Sequence, residues 1–176
     1  MIKQFVKNLF LREKASSQRF VAYLRKQGVQ IGERVRFYSP PHTLVDLSAP
    51  WLITIGNNVS IQDNCTIHTE PDQPVTIGDN TLIGHNTIVH CQTIGKGCLI
   101  GMGSILMNYT TIGDETIIGA GTVVTQHKTI PPRSMVYGTP FHIVRQLTEE
   151  EAADVYRQTE EYAALGQNHK HLQKED

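Results

Sequence analysis

Net charge, sulfur and long apolar runs are all scarce in this chain. Sixteen Lys and Arg against seventeen Asp and Glu leave −1 over 176 residues, too little positive charge for nucleic acid to be a bulk partner. No stretch is apolar for long enough to span a membrane. The three cysteines, Cys65, Cys91 and Cys98, and the absence of a secretory leader point to a reducing compartment, so a cytoplasmic location is expected. The central hundred residues also lack the three-and-four spacing of an amphipathic helix. At 39% hydrophobic and 19% charged, the chain supports one core and one globular domain.

What is present is a repeat. Stepping by six from Ile88 meets Ile94, Ile100, Leu106, Ile112, Ile118, Val124 and Ile130, with glycine directly after at Gly95, Gly101, Gly113 and Gly119. Upstream, Ile55, Ile61 and Ile67 hold one frame, and Ile77, Ile83 and Val89 resume it after four extra residues, Glu70 to Gln73. Such hexads each make one short strand and one turn, and the branched aliphatic residue points into a narrow prism. No hexad buries that side chain alone, so coils must stack. The insertion reads as a loop thrown out at a corner. A five-residue step from Ile83 to Ile88 places a one-residue slip just where His85 and His90 lie.

The ends differ from the middle. Residues 1–28 form a basic amphipathic arm with Phe5, Val6, Leu9 and Phe10, then Phe20, Val21, Tyr23 and Leu24 apolar, ended by Gly28. It suits a cap over the open end of the prism, or a foot on an anionic membrane surface. Residues 29–140 are assigned to the β-helix, irregular between Phe37 and Trp51 because of Pro40, Pro41 and Pro50. Pro131-Pro132 and Gly138-Thr139-Pro140 are expected to take the chain off the prism. Residues 141–176 then hold a C-terminal helix of about five turns, opened by the capping box Thr148-Glu149-Glu150-Glu151. Val155, Tyr156, Thr159, Tyr162 and Ala163 line one face, for packing on the prism wall or a neighbour. The fold class is therefore all-β with flanking helices.

Within that frame three histidines stand out. Allowing for the insertion and the slip, His68 and His90 lie one coil apart on the same edge of the prism. His85 lies on the preceding edge and does not reach them within one chain. Three prisms about a threefold axis would bring His85 of a neighbour opposite His68 and His90, giving three imidazoles and one open position, the ligand count of a catalytic zinc site. His42, His127, His142, His169 and His171 lack this relation and read as surface residues. Cys65 and Cys91 flank the ligands but read as small core residues.

The stretch Ser60-Ile61-Gln62-Asp63-Asn64 through His68, with Thr76-Ile77-Gly78-Asp79-Asn80, Ile83-Gly84-His85, Val89-His90-Cys91 and Leu99 to Ser104, resembles the γ-class carbonic anhydrases from about residue 55 to 165. The resemblance implies a left-handed parallel β-helix, a homotrimer, and one Zn²⁺ or Fe²⁺ at each subunit interface held by His68, His85 and His90. It further implies hydration of CO2 to bicarbonate by a metal-bound hydroxide, with Gln62 beside the metal-bound water and Asp63 in the interface network. The Glu160-Glu161-Tyr162-Ala163 segment resembles the family's C-terminal helix, whose tyrosine can approach the site. The arginine that usually accompanies an Asp ahead of the motif is missing, since Val45-Asp46-Leu47-Ser48-Ala49 stands there. No side chain declares itself a proton shuttle, so slow hydration is an expectation too.

Residues 17 to 58 instead look like the front of hexapeptide-repeat O-acetyltransferases acting on sugars. That resemblance implies acyl transfer from acetyl-CoA, with His68 or His85 as the base that deprotonates the acceptor. Lys128 to Arg145 resembles the usual ending of such enzymes, except for Phe141-His142 after Gly138-Thr139-Pro140. A third reading is a catalytically silent trimeric scaffold.

Overall fold

The computed structural model describes residues 16–168. The hexads form a triangular parallel β-helix with three sheets of six, seven and five strands. The first face runs from Gln30–Ile31 to Thr129–Ile130, the second from Arg36–Phe37 to Ser134–Tyr137, and the third from Leu44–Val45 to Val123–Val124. Each strand pairs in parallel with the one a coil away, as Ile55 does with Ile77 and Ile100 with Ile118. The second residue of nearly every pair points inward. Ile61, Ile83, Ile100 and Ile118 on one wall face Ile67, Val89, Leu106 and Val124 on another, all with no measurable exposure. Burying one such side chain contributes about 1.5–3 kcal/mol.

Two features depart from the sequence reading. The one-residue slip lies between Val89 and Ile94, not between Ile83 and Ile88: Val89 pairs with Ile67 and is fully buried, while Ile88 is 40% exposed. Ile88 therefore belongs to the outward row. The proline-rich stretch is also more regular than expected, because Arg36–Phe37 and Leu44–Val45 complete a first coil. The prolines sit in its corners, in the short 3₁₀ turns Pro40–His42 and Pro50–Leu52. Likewise Pro131-Pro132 is a corner, and Ser134–Tyr137 stays on the second face before His142–Gln146 turns back antiparallel.

Helix α1, Ser17–Gln27, starts where Ser16 accepts from the Arg19 backbone N–H and stops at Gly28, whose φ of 109° suits glycine alone. Phe20, Val21 and Leu24 are buried, and Phe20 meets Phe37 edge-on at 4.9 Å. The helix thus covers the first coil. Phe5, Val6, Leu9 and Phe10 lie outside the described residues, as do His169 and His171. Among the described residues no helix is long and apolar enough to cross a membrane.

Helix α2, Glu149–Asn168, runs back along the corner between the first and second faces. Its capping box forms as the sequence anticipates: Glu151 N–H donates to Thr148 Oγ1 at 3.2 Å, and Thr148 N–H to Glu151 Oε2 at 2.9 Å. Val155 and Thr159 are buried against the wall. Gly97, at φ 63°, leaves room for Tyr156, since a Cβ there would stand 2.6 Å from the ring. Further on, Glu160 accepts from Asn58, and the Tyr162 carbonyl accepts from Tyr38.

The Arg145 guanidinium, with help from Thr148, holds the Glu151 carboxyl down at about 2. A carboxyl with a lowered folded value stabilises fully above its unfolded value, ordinarily about 4.3, and loses that contribution as pH falls towards about 2. Thermal melts between these limits should therefore converge for wild type and Glu151→Gln as pH falls. An equal gap throughout would mean that the ion pair adds nothing.

Candidate metal centre

Two corners of the prism carry the histidines, one at each end of the third face. At the corner leaving that face, Asp46 follows Val45, His68 follows Ile67, and His90 follows Val89. The pairings Val45 with Ile67 and Ile67 with Val89 stack these three residues in one column. His68 Nδ1 lies 2.9 Å from Asp46 Oδ2, and the rings of His68 and His90 are 4.8 Å apart at 62°. At the corner entering the face, His85 lies one coil from Asp63, its Nδ1 3.3 Å from Asp63 Oδ2. Strand register thus gives His68 and His85 a carboxylate from the coil before.

That pairing bears on chemistry. A carboxylate stands within ion-pair distance of Nδ1 of both His68 and His85, the side on which one commonly supports a metal-ligating histidine. Burial pushes the Asp46 carboxyl up, but the hydrogen bonds from Ser48 and the neighbouring His68 bring it below the ordinary range. It stays an acceptor at neutral pH. The missing arginine leaves no gap beside Asp46, since His68 and the Ser48 backbone N–H take its two oxygens.

His90 differs. Its Nε2 is buried and makes no hydrogen bond, although Glu70 Oε1 lies 3.0 Å away, because the approach is out of line. An unsatisfied buried nitrogen costs roughly 1–3 kcal/mol. His68, Glu70 and His90 each offer a ligand atom, all within 4.8 Å of one another. An orphaned nitrogen among nitrogen and oxygen donors fits a divalent zinc or iron ion. His85 is not in this group.

Of the expected residues, then, His68 and His90 come together and His85 with Asp63 lies at the next corner. Gln62 is buried, with Nε2 donating to Ser60 Oγ at 3.4 Å. Tyr162 meets Tyr38 edge-on at 6.0 Å, and Tyr38 also neighbours Ser60 and Gln62. Burial raises the Tyr38 hydroxyl above its ordinary value. Gln62 and Tyr162 thus gather around Tyr38 on the second face, apart from the histidine column. Burial pushes Cys65 up to about 11 and Cys91 and Cys98 up to about 12, so all three are inert core thiols, as expected of Cys65 and Cys91. His42, His127 and His142 are exposed.

Glu70 was not anticipated. Its signal in the sequence is a carboxylate two residues beyond His68, inside the very insertion that reads as a loop.

This geometry has known relatives. Residues 93–126 match the family described as bacterial transferase hexapeptide (six repeats), and residues 74–108 the hexapeptide repeat of succinyl-transferase. The chain is 42% identical over 121 residues to a protein named carbonic anhydrase in Geobacillus kaustophilus, covering 69% of this chain and 66% of that one. It is 41% identical over 135 residues to the "Probable carbonic anhydrase" of Methanocaldococcus jannaschii, covering 71% of this chain and 85% of that one. The chain belongs to the γ-carbonic anhydrase-like hexapeptide-repeat family. Among solved structures, it is similar to a hexapeptide-repeat acetyltransferase of Vibrio cholerae complexed with acetyl coenzyme A, at 25% identity and a TM-score of 0.66 over 81% of this chain and 85% of that one. Members of the γ-carbonic anhydrase-like family thus share their scaffold with acyl transferases, and the corner residues must decide the chemistry.

Proposed function

We propose that this protein is a γ-carbonic anhydrase-like metalloenzyme that hydrates CO2 reversibly at sites shared between the subunits of a homotrimer. The observation that carries the reading is the Asp46–His68–His90 column, with its buried, unsatisfied His90 Nε2. His68 and His90 of one subunit, with His85 of a neighbour, would hold Zn²⁺ or Fe²⁺. Such an ion supplies a nucleophile at neutral pH by acidifying a coordinated water to about 7, an effect for which carbonic anhydrase is the standard illustration.

The chain's own residues do the remaining work. Asp46 and Asp63, 2.9 and 3.3 Å from Nδ1 of His68 and His85, would orient these rings so that Nε2 serves as the ligand atom. Asp63 would join the subunit contact, and Gln62, next to it in the chain, would orient a metal-bound water there, whereas Tyr162 packs beside Tyr38 away from the histidine column. The outward row of the third face, Leu44, Thr66, Ile88, Ile105 and Val123, lies between the two histidine corners. Leu44 is 61% exposed in the single chain. A neighbouring prism packed there would cover this apolar row and bring the two corners of adjacent chains together.

Acetyl transfer is the second reading, supported by the likeness to the acetyl coenzyme A complex. There His68 or His85 would act as base, with its aspartate as orienter. Elemental analysis, light scattering and a stopped-flow CO2 assay on zinc- or iron-loaded protein separate the two. The expected result is a trimer with one ion per chain and hydration above background. A metal-free trimer that binds acetyl-CoA saturably would overturn the proposal.

A further inference from the structure

We propose that Glu70 is a metal ligand, presented by the four-residue insertion, and that Gln73 is the residue that positions it. The proposal rests on the metal reading above and adds to it an oxygen donor from the same chain as His68 and His90.

An insertion at a β-helix corner has no need to be ordered, because the coils can stack without it. This one is bolted down. Gln73 is buried, and its backbone N–H donates to the Glu70 carbonyl at 3.1 Å. Its Nε2 donates to the His90 carbonyl at 3.0 Å, and its Oε1 accepts from the Tyr109 backbone N–H. Asp72 accepts from the Tyr109 hydroxyl at 3.1 and 3.2 Å. The insertion is thereby tied to the coil that bears His90 and to the next one. Its fixed geometry leaves Glu70 Oε1 at 3.0 Å from His90 Nε2, in contact but misaligned for a hydrogen bond. His68 offers its ligand atom within 4.8 Å of those of Glu70 and His90, so the three atoms are close enough to share one ion.

Chemically, a carboxylate beside two neutral imidazoles partly neutralises a divalent ion and suits zinc and ferrous iron equally. It would also let one chain hold the ion before a neighbour supplies His85, after which a reacting water would take a fifth position or the place that Glu70 yields.

The test uses the full-length protein, zinc competition against a chromophoric chelator, and the visible absorption of the cobalt(II)-loaded form, which reports coordination. Glu70→Gln, which keeps size and hydrogen bonding, should weaken zinc binding at least about tenfold and change the cobalt spectrum. Gln73→Ala should weaken binding in the same direction. With Gln73 already replaced, Glu70→Gln should cost less than it does alone, which a merely structural role for Gln73 would not produce. Wild-type zinc affinity and an unchanged cobalt spectrum in Glu70→Gln, alongside loss of binding in His90→Ala, would overturn the ligand role and leave the metal reading standing. No metal binding by the wild type would overturn both.

Discussion

Neither a His68→Ala protein nor a His85→Ala protein should hydrate CO2 alone, yet trimers formed from a mixture of the two should recover activity at about a quarter of the sites. The reasoning is geometric. His68 and His90 share one corner column, and His85 stands at the other end of the third face with Asp63. If a site takes two imidazoles from one chain and one from the next, each variant spoils every interface of its own trimer. In a mixed trimer one interface in three pairs an intact column with an intact His85, and random mixing makes about three quarters of trimers mixed. Co-expression, metal analysis and a CO2 assay measure this. A mixture as inactive as its components would show that adjacent chains do not share the site.

Ile100→Ala should destabilise the fold by about 2–5 kcal/mol, whereas the same truncation at Ile88, outside the prism core and on the face proposed to meet a neighbour, should cost less within the chain itself. Ile100 is wholly enclosed between Ile83 and Ile118, and the prism is too narrow and too regular to collapse around a missing side chain. Ile88 faces out. Denaturant midpoints at one fixed protein concentration give the comparison, because assembly makes stability concentration-dependent. Equal losses at the two positions that do not depend on protein concentration would return Ile88 to the core and restore the slip to its sequence-derived place.

That slip shows what the sequence could and could not convey. The hexad period declares the β-helix, because seven of the eight aliphatic positions counted from Ile88 are core. Ile88 and Val89 are adjacent branched aliphatics in one two-residue strand, so periodicity cannot say which points inward; pairing with Ile67 decides it. The stacking of His68 on His90 was legible because a coil has a fixed length. Asp46 was legible as a residue but not as a partner, since its place depends on how two prolines are absorbed in the first coil's corners. Glu70 was illegible for a related reason. An insertion read along the chain is only extra length, and whether it hangs free depends on where the Gln73 amide reaches, across a gap of 36 residues to Tyr109.

Helix α2 has a consequence for how the molecule comes apart. In a plain solenoid each coil touches only its neighbours, so the stack can fray from either end and lose order one rung at a time. Here a single rod begins near Arg133 in the last coils and reaches Arg34 and Tyr38 in the first. Opening the first coil then also requires releasing the rod from Arg34 and Tyr38, and opening the last requires releasing it from Arg133. The strap joins the two ends of a one-dimensional stack thermodynamically, favouring an all-or-none unit over a ladder of partially open states, and the histidine corners in the middle inherit that protection.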